Sequence, residues 1–117
     1  MPELAPEDAK LVTLARSVRA RTGAEEGAAV RDNDGRTYAG ASVALPSLTL
    51  TALQVCVAMA VSSGARGLEA AVVLVEDPDV DVDAAAAVEL AGGAVPVLVG
   101  DHSGTIARTD TTDGGGR

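Results

Sequence analysis

Apolar side chains recur at Leu11, Leu14, Ala15 and Val18, the spacing of one helical face, behind an acidic opening Pro6-Glu7-Asp8 that suits the positive end of a helix dipole. The spacing predicts a first helix over Pro6 to Arg21, with Arg16, Arg19 and Arg21 complementing the opposite pole. The pattern then shortens. Gly27-Ala28-Ala29-Val30 and Arg36 to Ala41 read as two short strands joined by Asp32-Asn33-Asp34-Gly35, and an Asp-Gly turn between such runs signals a β-hairpin. From Leu48 to Ser63 the apolar residues surround almost the whole helical circumference, which predicts a central helix covered on more than one side. Ser47 or Thr49 would cap it, and Ser62-Ser63-Gly64 would end it.

Ala70 to Val75 is an unbroken apolar run, the signature of a strand buried on both faces in the middle of a sheet. A third helix is expected from Asp83 to Ala91, capped by Asp81 or Asp83 and stopped by Gly92-Gly93, followed by a strand Val95 to Val99. Gly104 to Ala107 reads as a short fifth, edge strand, and 109–117, with three consecutive glycines and no apolar anchor, as a mobile tail. The elements make one α/β layered domain over 1–108, around a mixed sheet of four to five strands. A right-handed crossover would leave the central and fourth strands parallel.

At 117 residues there is room for one domain, and 47% hydrophobic with 22% charged residues suits a packed core. That core must be built from Ala, Val and Leu, because Tyr38 is the only aromatic. Bases therefore find no stacking platform. A net charge of -8 repels phosphate polymers and anionic lipid, so neither nucleic acid nor membrane is an expected partner. The stretch Ala44 to Val61 is broken by polar residues and falls short of the roughly 20 apolar residues of a bilayer span. One cysteine, Cys56, precludes an internal disulfide, and Met1-Pro2-Glu3-Leu4 lacks a basic segment followed by an apolar one, so the cytoplasm is the expected location. Usage skewed to Ala, Gly, Val, Asp and Arg points to a bacterium with a GC-rich genome.

Candidate chemistry is sparse. Cys56, within the central helix, reads as a small buried hydrophobe. His102 lies in the loop Gly100-Asp101-His102-Ser103-Gly104, where Asp, His and Ser are sequence neighbours rather than a nucleophile and base held at distance. The alternation Asp77, Asp79, Asp81, Asp83 would place carboxylates on one side of an extended segment, a weak cation site. A calcium loop counted from Asp77 would need glycine at Val82 and glutamate at Val88. In the hairpin turn Gly35 likewise comes too early for such a loop. Gly92, Gly93 and Gly100 form no phosphate-cradling pattern.

The run Gly27-Ala28-Ala29-Val30, Asp34-Gly35-Arg36, Gly40-Ala41-Ser42-Val43, Leu48-Thr49-Leu50-Thr51-Ala52 and Ser63-Gly64 resembles the small homotetrameric, zinc-dependent cytidine deaminases, over about Leu11 to Val99. The resemblance implies a three-layer α/β/α sandwich. It also implies a zinc held by thiolates, which generates a hydroxide to attack C4 of cytosine, beside a glutamate that shuttles protons. Family members read T-x-C-A-E at the head of the central helix and P-C-G-x-C-R-Q at the head of the third. Carried over by position, the first zinc cysteine falls on Thr51, the glutamate on Leu53, and the later cysteines near Asp81 and Ala84. The sugar-binding asparagine and glutamate of G-x-N-V-E-N fall on Ser42 and Ala44, and a lost aromatic falls near Ala24.

A site needing three strong protein ligands retains at most one weak one, so no catalytic residue and no zinc are expected. The leading expectation is thus a degenerate member that acts as a homo-oligomer, dimer or tetramer, or through a protein partner. Two alternatives stay open: an active nucleoside deaminase with a metal site rearranged around Asp81, Cys56 or His102, and a nucleoside-binding module without chemistry.

Overall fold

The unbroken apolar run sits where its two-sided burial requires. In the structure, a computed structural model describing residues 4–112, it forms β5 (Leu68–Leu74), the middle strand of five. The hairpin strands β1 (Gly27–Asp32) and β2 (Thr37–Ala41) lie to one side, and β6 (Val95–Gly100) and β7 (Ile106–Thr112) to the other, in the order β2-β1-β5-β6-β7. β1 is antiparallel to both neighbours, β5 and β6 are parallel as the crossover predicts, and β7 returns antiparallel along β6.

Each face of this sheet carries helices. The first helix, α1 (Pro6–Thr22), lays Leu11 and Ala15 on Ala29, Ala70, Val72, Leu74 and Leu98. On the opposite face α2 (Ala52–Ser62) and α3 (Ala85–Ala91) cover Ala28, Val30, Ala71, Val73, Val97 and Val99 with Leu53, Cys56, Val57, Ala87 and Val88. Alternate residues of β5 thus feed two separate cores, as the period of two along a strand dictates. The result is the expected three-layer α/β/α arrangement. Small side chains let the layers close tightly: a Cβ on Gly27 would stand 2.4 Å from the Ala15 carbonyl oxygen, and one on Gly40 would stand 2.6 Å from Val55 Cγ1.

Three boundaries differ from expectation. Leu48–Leu50 is not the first turn of the central helix but a short strand, β4, paired antiparallel with β3 (Val43–Leu45). The helix begins only at Ala52, capped by Thr51 rather than by Ser47 or Thr49. Pro46-Ser47 makes a turn before a helix can start, and Leu48 and Leu50 extend the helical-looking apolar pattern by alternating on a strand. The third helix starts at Ala85, not Asp83; the Asp83 carboxylate accepts from the Ala85 amide at 3.0 Å from just outside it. The edge strand is longer than Gly104 to Ala107 and displaced: it runs to Thr112, so Thr109 to Thr112 belong to the sheet rather than to a mobile tail. Its ladder with β6, from Gly100↔Ile106 to Val95↔Thr112, holds a polar strand that has little apolar anchorage. Residues 113–117 of the expected tail lie outside the described residues.

The Asp-Gly hairpin forms as expected, and its turn is built on one buried carboxylate. Asp32, 1% exposed, accepts from the Asp34 and Arg36 amides at 2.9 Å each and from the Tyr38 hydroxyl at 2.9 Å. Gly35 takes a positive φ of 86° there. Burial disfavours the Asp32 charge, but these three donors outweigh it and hold the carboxyl below its ordinary range. A depressed carboxylate stabilises the fold above its unfolded pKa, and that contribution disappears as the pH falls through the folded value. Tyr38→Phe should therefore melt roughly 3–6 °C below the parent at pH 7, the effect expected from one lost hydrogen bond at a half-buried hydroxyl. The gap should narrow as the pH drops below 3.8. Paired thermal melts between pH 7 and pH 2.5 check this, and a gap that widens in acid would contradict it.

Candidate functional site

Two adjoining clefts open beside the head of α2. The first, about 340 Å³, is bounded by Thr51 and Leu53 on the helix, by Glu25 and Glu26 on the lead-in to β1, and by the segment from Val75 to Asp83 that follows β5. The second, about 380 Å³, is bounded by Ala24, Ser42, Ala44, Thr49 and Thr51, and the two share Glu25, Glu26 and Thr51. The residues carried over by position therefore do gather. Thr51, Leu53 and Asp81 line one cleft, Ser42, Ala44 and Ala24 the other, while Ala84 is half-buried against the apolar core beneath α3.

Of those side chains, Thr51 caps a helix. The Thr51 hydroxyl accepts from the Gln54 amide at 3.1 Å, and the Gln54 side-chain oxygen accepts from the Thr51 amide at 2.9 Å, which is a capping box. Glu26 Oε1 accepts from the Ala52 amide at 3.1 Å, a contact across 26 residues that the sequence alone does not reveal. Its carboxylate meets the positive end of the helix dipole, where a negative charge is favoured. Leu53, 1% exposed, points into the core cluster and has no proton to give or take. Ser42 Oγ accepts from the Glu26 amide at 3.1 Å, so this hydroxyl steadies the strand lead-in.

The acidic segment does not stay extended. Pro78 starts a turn closed by the Val80 amide on the Asp77 carbonyl, and the Asp77 carboxylate accepts from the Asp79 amide at 3.1 Å. Asp77, Asp81 and Asp83 border the first cleft together with Glu25, Glu26 and Glu76, and no basic side chain borders it. The expected one-sided row of four carboxylates is thus broken at Asp79, which sits in the turn and does not border the cleft, since proline fixes a backbone angle that the turn uses.

The remaining candidates stay apart. Cys56 is fully buried on the core face of α2, and burial pushes its thiol up to about 12. His102 turns its Nε2 to the Glu25 carbonyl oxygen at 2.8 Å. Ser103 donates its hydroxyl to Asp101 at 2.6 Å, which holds that carboxyl below its ordinary range, so this Asp-His-Ser run forms a turn and not a catalytic relay. Neither Cys56 nor His102 lines either cleft with Asp81. Among the described residues no group of three or more His, Cys, Asp or Glu side chains could hold a metal ion. The donor set beside Thr51, Leu53 and Asp81 consequently does not fit the zinc that the resemblance implies. No helix among the described residues is long and apolar enough to cross a membrane.

Comparison with solved structures finds the same architecture. Cytidine deaminase from Burkholderia pseudomallei is 23% identical, with a TM-score of 0.75 over 87% of this chain and 90% of that one. Cytidine deaminase from Mycobacterium leprae is 20% identical, with a TM-score of 0.65 over 92% and 94%. That from Mycobacterium tuberculosis is 25% identical, with a TM-score of 0.61 over 85% and 87%. No curated protein matches the sequence significantly. The family described as Cytidine deaminase-like matches residues 4–104, nearly the whole described chain, and the chain belongs to that family.

Proposed function

We propose that this chain keeps the deaminase fold without its hydrolytic chemistry and acts by self-association. The observation that carries the reading is the head of α2. Where the resemblance calls for a thiolate and a proton-shuttling carboxylate, Thr51 is committed to a capping box and Leu53 to the core. A hydroxyl of ordinary acidity is a poor zinc ligand, and an alkyl side chain cannot relay a proton. The rival in which Asp81, Cys56 and His102 reassemble a metal site is opposed by their separation, and by a thiol that burial keeps protonated at neutral pH.

Self-association is supported by where apolar surface is left over. Met59 and Val61 on α2 are 40% and 54% exposed, and Leu45 and Leu48 on the β3–β4 hairpin are 57% and 48% exposed. Exposed large apolar residues gathered on neighbouring elements are typical of interfaces. The sequence pattern of α2, apolar around nearly its whole circumference, has its second partner in another copy of the chain.

A second reading, nucleoside binding without turnover, is favoured by one specific observation: the clefts beside Thr51 are open rather than filled. The carboxylates around the first cleft would repel a phosphate, so the ligand class is a neutral nucleoside and not a nucleotide.

Protein purified without chelators is expected to carry far less than one zinc per chain and to leave cytidine unconverted at the ultraviolet difference between cytidine and uridine. Stoichiometric zinc with turnover would overturn the reading. Light scattering at micromolar concentration should give a mass of two or four chains, and Val61→Glu should shift it toward one, because a charge buried in an apolar interface is costly. A parent that scatters as a single chain would remove the assembly reading while leaving nucleoside binding open. That is scored separately by a rise in Tm with cytidine.

A further inference from the structure

The wall of the first cleft is held by a residue outside it. Segment 77–83 supplies Asp77, Val80, Asp81, Val82 and Asp83 to the cleft, yet its own backbone contributes only the short turn at Asp77. Val82 packs on the core at its far end, and Val75 is tied to β6 by its amide on the Gly100 carbonyl at 2.9 Å. Between these two anchors the chain is gripped by Arg108 on the edge strand β7. Arg108 Nη1 donates to the Pro78 carbonyl, Nη2 donates to the Val80 carbonyl at 3.0 Å, and Nε donates to both carboxylate oxygens of Asp110 at 3.1 and 3.0 Å. One planar guanidinium thus serves two carbonyls and a carboxylate at once, a spread that its fixed fork of five donors suits better than the compact ammonium of a lysine.

We propose that Arg108 is the positioning residue of the cleft: oriented by Asp110, it fixes the backbone at Pro78 and Val80 and so sets where Asp77, Val80 and Asp81 stand around a bound neutral nucleoside. The ligand half of this statement rests on the nucleoside reading above; the clamp does not. Arg108 touches no ligand itself. It acts through the carbonyls it holds, and its loss leaves the wall attached at its ends and free between them. The edge strand thereby governs a site that none of its residues borders.

Hydrogen exchange followed by mass spectrometry tests the clamp, with Arg66→Ala, which removes an exposed arginine elsewhere, as the charge-matched control. In Arg108→Ala, exchange across 77–83 is expected to rise about tenfold or more, the effect of losing a hydrogen bond from a charged donor, while α1 and α2 exchange as in the parent. Arg108→Lys and Asp110→Asn, gentler changes, should loosen the same segment by smaller factors, and Arg66→Ala should not loosen it. Unchanged exchange over 77–83 in Arg108→Ala, or an equal rise across every element in all three variants, would overturn the proposal.

Cytidine is the probe for the ligand half. Where calorimetry detects binding to the parent, Arg108→Ala should raise Kd about tenfold, again the equivalent of one charged hydrogen bond. An unchanged Kd beside a loosened wall would refute the positioning role. No binding of cytidine to the parent would refute the nucleoside reading and with it the positioning role, while the exchange result still decides whether Arg108 clamps the wall.

Discussion

The helices lie close against the sheet because no fully buried side chain in either apolar core is bulkier than leucine, and the one aromatic, Tyr38, packs only half-buried against one of them. With no phenylalanine or tryptophan in the chain, burial has to be achieved by proximity rather than by filling space with large rings. Glycines mark the points of closest approach, at Gly27 under α1 and Gly40 under α2, where a methyl group would meet a carbonyl oxygen or Val55. The consequence reaches the site. Because α2 rests so near both hairpin strands, a carboxylate on the lead-in to β1 reaches the helix's opening turn, and Glu26 becomes a partner for the Ala52 amide.

That contact shapes the chemistry around it. The opening amides of any helix need acceptors, and whichever groups supply them are committed. Here the threonine hydroxyl, the glutamine side chain and Glu26 satisfy the Gln54, Thr51 and Ala52 amides. A capping threonine of this kind contributes about 1 kcal/mol to stability. It is a modest gain, but it ties Thr51 to a structural duty at the position that the family resemblance associates with metal. The carboxylates bordering the cleft then offset the positive end of the helix, so the field that would draw an anion to its first turn is largely cancelled.

The layered architecture was legible in the sequence wherever burial wrote a pattern. The run from Ala70 to Val75 marks the central strand, and the Asp-Gly turn marks the hairpin. Patterning misled at Leu48 to Leu50, because two leucines two residues apart extend a helical stripe as readily as they line one face of a strand. Capping chemistry, with Thr51 three residues before Gln54, was the better guide to where the helix begins. The far half of β7 escaped because Arg108, Thr109 and Asp110 carry no apolar rhythm; ladder hydrogen bonds hold it, and those leave little trace in side-chain polarity. Thr51, Leu53 and Asp81, singled out by resemblance, border one cleft, whereas Glu26 and Arg108 were invisible. Their partners lie 26 and about 30 residues away in the chain, a separation at which no local spacing rule applies.

The absence of charge along α2 bears on the proposal that the chain meets another copy of itself. Between Ala52 and Ser62 there is no Asp, Glu, Lys, Arg or His, in a chain whose net charge is -8. Self-association of so acidic a protein is opposed by repulsion between copies, and the opposition is smallest where no charge must be stripped of water. The outer side of α2, with Met59 and Val61, meets that condition, and the exposed leucines of the β3–β4 hairpin add apolar surface next to the strand that contacts the helix. A glutamate at Leu53 or a thiolate at Thr51 would put charge at the head of this helix. Here the charge at the head comes from outside the helix, through the Glu26 carboxylate on the Ala52 amide, and the helix itself, out to Met59 and Val61, carries none.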